Sequence, residues 1–313
     1  MNSTTLPDTG PNTDEGIFTL GVVYFIVSLL VMSANGVVVF VVVKTKELQM
    51  PTFWIITWMA VFDFLMGLYT LVFIVPSAFL NRFAYSDALV GLASCLFTYI
   101  FGQTVFNIAL TVMERCIAVW WPLRYIHIVT FKRFIIALAI SLLLSLIRLI
   151  LIAVPDGDFY FREDAALCIV DFDTAPTVIA SVGFPIVTLC LISISFVMIF
   201  IKKRRVKKQV HPGGIHVSPE GQVKFPMMCL VSTSVFCVSY VPYTIGIITN
   251  YMSGKDNVPT TLVQILSVAF LSNSLWNVFI YTATYKPFRE ALLCLFCRSY
   301  FRKKRQREIF SLH

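Results

Sequence analysis

Seven apolar runs dominate the sequence, at roughly 17–43, 52–80, 88–120, 133–155, 175–201, 223–252 and 259–284. A run of about 20 such residues is long enough, as a helix, to cross a ~30 Å hydrocarbon core. Buried helices of soluble domains rarely reach that length, so seven in one chain exclude a soluble fold. Composition agrees: 58% of residues are hydrophobic, 28 are Phe and only 13% are charged. A soluble domain carries about 25%. The chain therefore reads as an all-α membrane protein, a seven-transmembrane helix bundle.

Cations set its orientation. With residues 1–16 outside, 19 Lys and Arg fall in the inner loops and tail, and three (Arg82, Arg162 and Lys255) fall outside. This bias predicts an extracellular N-terminus and a cytoplasmic C-terminus. The net charge of +8 is thus a topology signal and argues against nucleic acid as a partner. Residues 1–16 are polar and lack a basic n-region, so no cleavable signal peptide is expected and the first span directs insertion. Asn2-Ser3-Thr4 is a glycosylation sequon on the outer side.

The chain divides into an extracellular 1–16, a bundle over 17–284 and a cytoplasmic 285–313. The third inner loop mixes a basic run with Pro and Gly and reads as solvated, near anionic lipid. The outer loop PDGDFYFREDAALCIVDFDT has room for a short hairpin. After the seventh run, Phe288, Leu292, Leu293 and Phe296 recur at helical spacing among cations, which predicts a short amphipathic eighth helix on the inner leaflet. Cys294 and Cys297 lie on that juxtamembrane face as palmitoylation candidates, or as two small apolar residues.

Polar groups inside lipid-embedded helices are costly and need a partner or a task. Asp63 sits mid-run, with Asn35, Thr104, Asn273, Ser274 and Asn277 in other runs. A carboxylate among hydroxyl and amide oxygens is chemistry suited to Na⁺; a hydrogen-bonded packing network serves the same residues. Pro242 removes a backbone hydrogen bond within the sixth run, and Phe236 and Tyr240 precede it on a related face. Arg148 lies seven residues before Pro155; it can snorkel outward, bond internally, or point inward to receive an anionic ligand group.

Together these residues resemble a class A (rhodopsin-like) G-protein-coupled receptor. Glu114-Arg115-Cys116 resembles the Asp/Glu-Arg-Tyr motif closing helix three, and Pro122-Leu123 the Pro-Leu of the second inner loop. Tyr240-Val241-Pro242 resembles Trp-x-Pro, with Phe236 its aromatic partner. Asn277-Val278-Phe279-Ile280-Tyr281 resembles Asn-Pro-x-x-Tyr, and Phe288-Arg289 the start of helix eight. The resemblance implies an activation switch of Glu114, Arg115, Phe236, Tyr240, Pro242, Asn277 and Tyr281. It implies G-protein contacts at Arg115, Pro122 and Leu123, and an allosteric Na⁺ at Asp63, Thr104, Asn273 and Ser274, with no other cofactor required.

The departures are Cys116 for Tyr, Tyr240 for Trp, Val278 for Pro, Ser193 for the helix-five tyrosine, and a helix four without Trp. The family's disulfide implies a Cys95–Cys168 bond, although its usual helix-three position is Val90; two free thiols are the alternative. Gln222 stands at the acidic lock of helix six with Glu220 nearby, so appreciable basal activity is expected.

The resemblance also narrows the ligand. Leu271 replaces the retinal lysine and Phe97 the amine-binding aspartate. The implied cavity holds Phe97, Thr98, Phe101, Thr177, Ser181, Tyr243, Gln264 and Ser267, suited to a small, mostly uncharged or lipid-like ligand. Locally, TVFNIALTVMERCIAVWWPLRYIHIVT resembles fish-type odorant receptors. The expected partners are that small molecule, membrane lipid and a heterotrimeric G protein at the plasma membrane. A metal hydrolase needs clustered His and carboxylates, but His127, His211, His216 and His313 all fall on loops or the tail. A transporter is disfavoured by the lack of an internal repeat. A receptor that no longer signals is the closer rival.

Overall fold

The computed structural model describes residues 11–153, 159–170, 177, 179–209, 234–246, 249 and 259–297. Among the described residues seven helices follow the order of the apolar runs, an eighth comes after them, and a single helical turn lies at Tyr125–Ile128. The eight are α1 (Pro11–Lys44), α2 (Pro51–Leu80), α3 (Ala88–Trp120), α4 (Phe131–Ala153), α5 (Ile179–Gln209), α6 (234–246), α7 (Thr260–Thr284) and α8 (Lys286–Phe296). Six of them, α1–α5 and α7, are long and apolar enough to cross a membrane. Of the sixth apolar run, residues 234–246 form the described helix. The first helix begins at Pro11, ahead of its apolar part at Phe18–Lys44.

Between lipid and protein the usual inside-out logic weakens, because lipid tails are as apolar as Leu. Helix α4 shows the consequence. Ile136, Ile140, Leu143, Ile147 and Ile150 face outward, while Leu138, Ser141, Ser145, Arg148 and Ile152 form the buried stripe. That stripe has helical spacing, and it is the polar one. In α1 the buried stripe is Tyr24, Ser28, Val31, Asn35, Val38 and Val42, with Phe25, Leu29 and Phe40 exposed.

Close approach needs small residues. A Cβ on Gly67 of α2 would lie 2.8 Å from Met32 Cγ and 3.2 Å from the Ser28 carbonyl oxygen on α1. Helix α3 is the most enclosed of the six spans and packs on α2, α4 and α5.

Two helices widen into a π turn, Thr70–Ile74 in α2 and Ile179–Gly183 in α5. Each turn ends two residues before a proline, Pro76 and Pro185. Proline has no N–H to donate, and its ring crowds the carbonyl four residues back; the wider turn relieves that crowding. Those carbonyls belong to Val72 and Ser181, and side chains bond both. The hydroxyl of Tyr85 donates to Val72 O at 2.6 Å and that of Tyr240 to Ser181 O at 3.4 Å.

The outer loop does form a hairpin. Its strands β1 (Phe159–Arg162) and β2 (Leu167–Val170) pair antiparallel, with Phe161 opposite Cys168. It lies across the bundle mouth: Tyr24 Oη of α1 donates to Ala165 O at 3.0 Å, and Ser94 Oγ of α3 donates to Ile169 O at 3.4 Å. At the other end Phe288 of α8 is fully buried against Phe53 of α2, so it belongs to the core. Cys294 is half-buried and Cys297 exposed.

Candidate functional site

Two polar layers and one aromatic layer cross the bundle. The aromatic layer contains the implied ligand residues. Phe236 stacks on Tyr240 at 5.3 Å, Tyr240 on Phe101 at 5.2 Å and Tyr243 on Phe270 at 5.2 Å. Phe270 also meets Phe101 at 5.1 Å and Phe97 at 5.9 Å, which places it at the centre of the layer. The sequence reading did not name Phe270, although its register on α7, three residues after Ser267, was available.

Of the other implied ligand residues, Thr98, Thr177, Ser181 and Ser267 are buried and Gln264 is half-buried. Ser267 Oγ donates to Val263 O at 2.8 Å within its own helix, so its hydroxyl does not face the cavity unencumbered. The rings close on one another. Below them remains a cavity of about 10 Å³, lined by Phe101, Phe236, Tyr240, Thr104, Asn273 and Ser274 among others. That is the scale of one water or one small ion.

The mid-membrane polar layer lies beside that cavity. Asp63 is fully buried; Oδ1 accepts from Ser274 Oγ at 2.8 Å and Oδ2 from Asn277 Nδ2 at 3.1 Å. Asn35 Nδ2 bridges α1 to α7 through Ser274 O at 3.2 Å. Thr104 Oγ1 turns back to Ile100 O at 3.3 Å. The donor set therefore fits a hard cation in part: Asp63 and Ser274 meet directly, while Thr104 and Asn273 reach only the adjoining cavity. Asn277, assigned to the switch, is in contact with the same carboxylate.

The third layer closes the inner end. Arg115 is paired with Glu114, and both are buried. Arg115 also donates to Thr52 Oγ1, while the Tyr125 hydroxyl donates to Glu114. Thr52 Oγ1 in turn donates to Glu114 Oε1 at 2.9 Å. Sequence reasoning found the pair but named neither Thr52 nor Tyr125 as its partner. Burial raises the Tyr125 phenol above its ordinary pKa, and the Glu114 charge and hydrogen bond add to that effect. Pro122 is exposed and Leu123 is 93% exposed, an apolar side chain with nothing packed on it. Cys116, where the family has Tyr, sets Sγ 3.8 Å from Ser195 O of α5.

The disulfide expectation is corrected. Cys95 and Cys168 are both free thiols. On α3 it is Ser94 that meets the hairpin, and Cys95 points about 100° away around the helix. Burial pushes the Cys168 thiol up to about 12.

Arg148 does not snorkel. It is 7% exposed; Nη1 donates to Thr98 O at 3.0 Å and Nε to Ala180 O at 3.1 Å. Gln103, also missed, is fully buried and clamps α3 to α4, with Nε2 2.7 Å from Ser145 Oγ and 2.8 Å from Ser141 O. Asn2, Glu220 and Gln222 lie outside the described residues.

Residues 34–281 match the profile of the 7 transmembrane receptor (rhodopsin family). The histamine H2 receptor of Cavia porcellus is 23% identical, the match covering 89% of this chain and 79% of the relative. Trace amine-associated receptor 4 of Rattus norvegicus is 22% identical, with 88% and 84% covered. Melanopsin of Branchiostoma belcheri is 24% identical over 88% of this chain but only 42% of its own. The crystal structure of squid rhodopsin superposes with a TM-score of 0.78 at 19% identity, covering 94% of this chain and 90% of that one. The chain belongs to the rhodopsin family of seven-transmembrane receptors, the class A G-protein-coupled receptors, and is a multi-pass membrane receptor rather than an enzyme.

Proposed function

We propose that this receptor sits in the plasma membrane with its N-terminus outside and its C-terminus in the cytoplasm. It binds a small, mostly apolar ligand, odorant-like or lipid-like, and activates a heterotrimeric G protein through movement of α6 about Pro242. The observation that carries this reading is the closed inner layer, in which Glu114, Thr52 and Tyr125 all engage Arg115 or its acid. The Tyr240 ring stacks between Phe236 and Phe101, so a ligand parting the aromatic layer shifts the helix that bears Pro242. A ligand biases such a switch only by its differential affinity for the two states.

Some relatives are named for histamine and trace amines, yet Phe97 stands here at the position where the family resemblance implies an amine-binding aspartate. Helix α7 contains no lysine to hold a retinal, which argues against a light-sensing role. An aromatic layer with few hydroxyls supports a chemosensory role instead. Leu123 and Pro122 serve as G-protein contacts, Cys294 and Cys297 as lipidation sites, and Na⁺ beside Asp63 as an allosteric ion.

The test is a ligand screen against a promiscuous G-protein reporter, with Arg115→Ala as control. Stimulated nucleotide exchange should vanish in the variant while surface expression persists; undiminished exchange overturns the reading. The rival, a receptor that no longer couples, draws on the Cys116–Ser195 contact, which ties α3 to α5. Purified receptor that drives no exchange on any member of a G-protein panel would favour it.

A further inference from the structure

Arg148 is a cation buried on the inward stripe of α4, and its partners are neutral. It holds Thr98 O and Ala180 O, and its guanidinium lies 5.6 Å from the centre of the Phe101 ring. Arginine has five N–H donors. Three find no protein acceptor among the described residues. Among the described residues no carboxylate pairs with it: the Tyr240 hydroxyl of α6 donates to Ser181 O, and the Asp63 carboxylate is held by Ser274 and Asn277. A buried cation without an anion is a costly arrangement, and such residues in membrane proteins mark sites.

The surroundings prepare this guanidinium for a partner. Carbonyls from α3 and from the π turn of α5 fix it from two sides and leave its other N–H groups without an acceptor among the described residues. Gly102 makes room, since a Cβ there would lie 3.3 Å from Nη1. Thr98 and Phe101, which touch Arg148, and Ser181, next to Ala180, already belong to the implied ligand set. We propose that Arg148 anchors an anionic group on the ligand, a carboxylate or its equivalent, whose apolar remainder enters the aromatic layer of Phe101, Phe270 and Tyr243. Guanidinium and carboxylate pair with two parallel N–H···O bonds, which suits a fixed cation with donors left over. The proposal rests on reading this layer as the ligand site and narrows that ligand to an organic acid.

The test uses the full chain in phosphatidylcholine nanodiscs and reads ligand-induced thermal stabilisation, with no G protein present. The probes are straight-chain alkanoic and phenylalkanoic acids, each beside its methyl ester and its alcohol. An acid should act at a concentration about tenfold or more below that of its ester or alcohol, because each neutral analogue leaves the guanidinium unpaired. Arg148→Gln should erase that preference, and Arg148→Lys should keep part of it. Should the Gln variant fail to fold, wild-type receptor decides: the advantage of each acid should shrink as pH falls through that acid's own pKa. A separate arm adds phosphatidylglycerol, and stabilisation by it alone, lost in Arg148→Gln, assigns the anion to a lipid headgroup. Equal potency of acid, ester and alcohol, preference for acids that survives Arg148→Gln, or no response to any acid or anionic lipid overturns the proposal. Because binding is read without coupling, a receptor that fails to signal still answers the question.

Discussion

Tyr125, beyond the break that ends α3, donates its phenolic proton to Glu114, eleven residues earlier. The bond converts an acid–base pair into a lock with three supports, since Thr52 of α2 bonds both members. Tyr125→Phe removes one support and leaves the ring. Losing about 1 kcal/mol from the closed state, the scale of one hydrogen bond, should raise basal nucleotide exchange roughly fivefold. The measurement is guanine-nucleotide exchange in membranes at matched expression, and basal exchange no higher than wild type would contradict it. The sign of the pH effect follows from the raised phenol pKa. The contribution of Tyr125 is complete below the ordinary phenol value of about 10 and is lost as pH rises towards its value in the folded receptor. Basal exchange should therefore show no Tyr125-dependent change around neutral pH.

The two free thiols make a different prediction. A disulfide between α3 and the hairpin would contribute about 2–5 kcal/mol, so reduction would unsettle the bundle mouth. With Cys95 and Cys168 free, reductant should leave the thermal midpoint unchanged. The Cys168 thiol, pushed up to about 12 by burial, remains protonated at neutral pH and should resist maleimide, whereas the exposed Cys297 reacts. Loss of stability on reduction would show that the bond forms.

Much of this bundle was legible because hydrophobic length is a strong signal in lipid, and the spans at 88–120 and 259–284 coincide with α3 and α7 within a residue. Residues whose role lies within their own motif, such as Glu114 beside Arg115, were legible too. Partners distant in sequence were not. Gln103 and Ser145 sit 42 residues apart and meet only because α3 and α4 cross there. Two π turns were also missed, although Pro76 and Pro185 announce the freed carbonyls of Val72 and Ser181. The disulfide expectation failed because one step along a helix rotates a side chain by about 100°, which turns Cys95 from the hairpin that Ser94 touches.

Gly67 tests the packing of α1 on α2. Its missing side chain admits Met32 and the Ser28 carbonyl, and a Cβ would come within 2.8 Å of Met32 Cγ. Gly67→Ala should cost about 1–3 kcal/mol through overpacking and lower the thermal midpoint of the purified receptor. Adding Met32→Ala should restore part of it, because the closest contact is then gone. A single variant as stable as wild type would mean that the helices part without penalty.

Asp63 tests the middle layer. Its two oxygens each accept one neutral hydrogen bond, from Ser274 and Asn277, which leaves a buried carboxylate with lone pairs to offer. The cavity lined by Thr104, Asn273 and Ser274, about 10 Å³, accepts an ion of water's size or smaller and excludes a bulkier cation. Sodium chloride should therefore raise the thermal midpoint more than choline chloride at equal ionic strength, which holds general screening constant. Asp63→Asn should abolish the difference, since an amide offers one oxygen and no charge. A salt response that is the same for both cations, or one that persists in the Asn variant, would leave Asp63 as a packing group that joins α2 to α7.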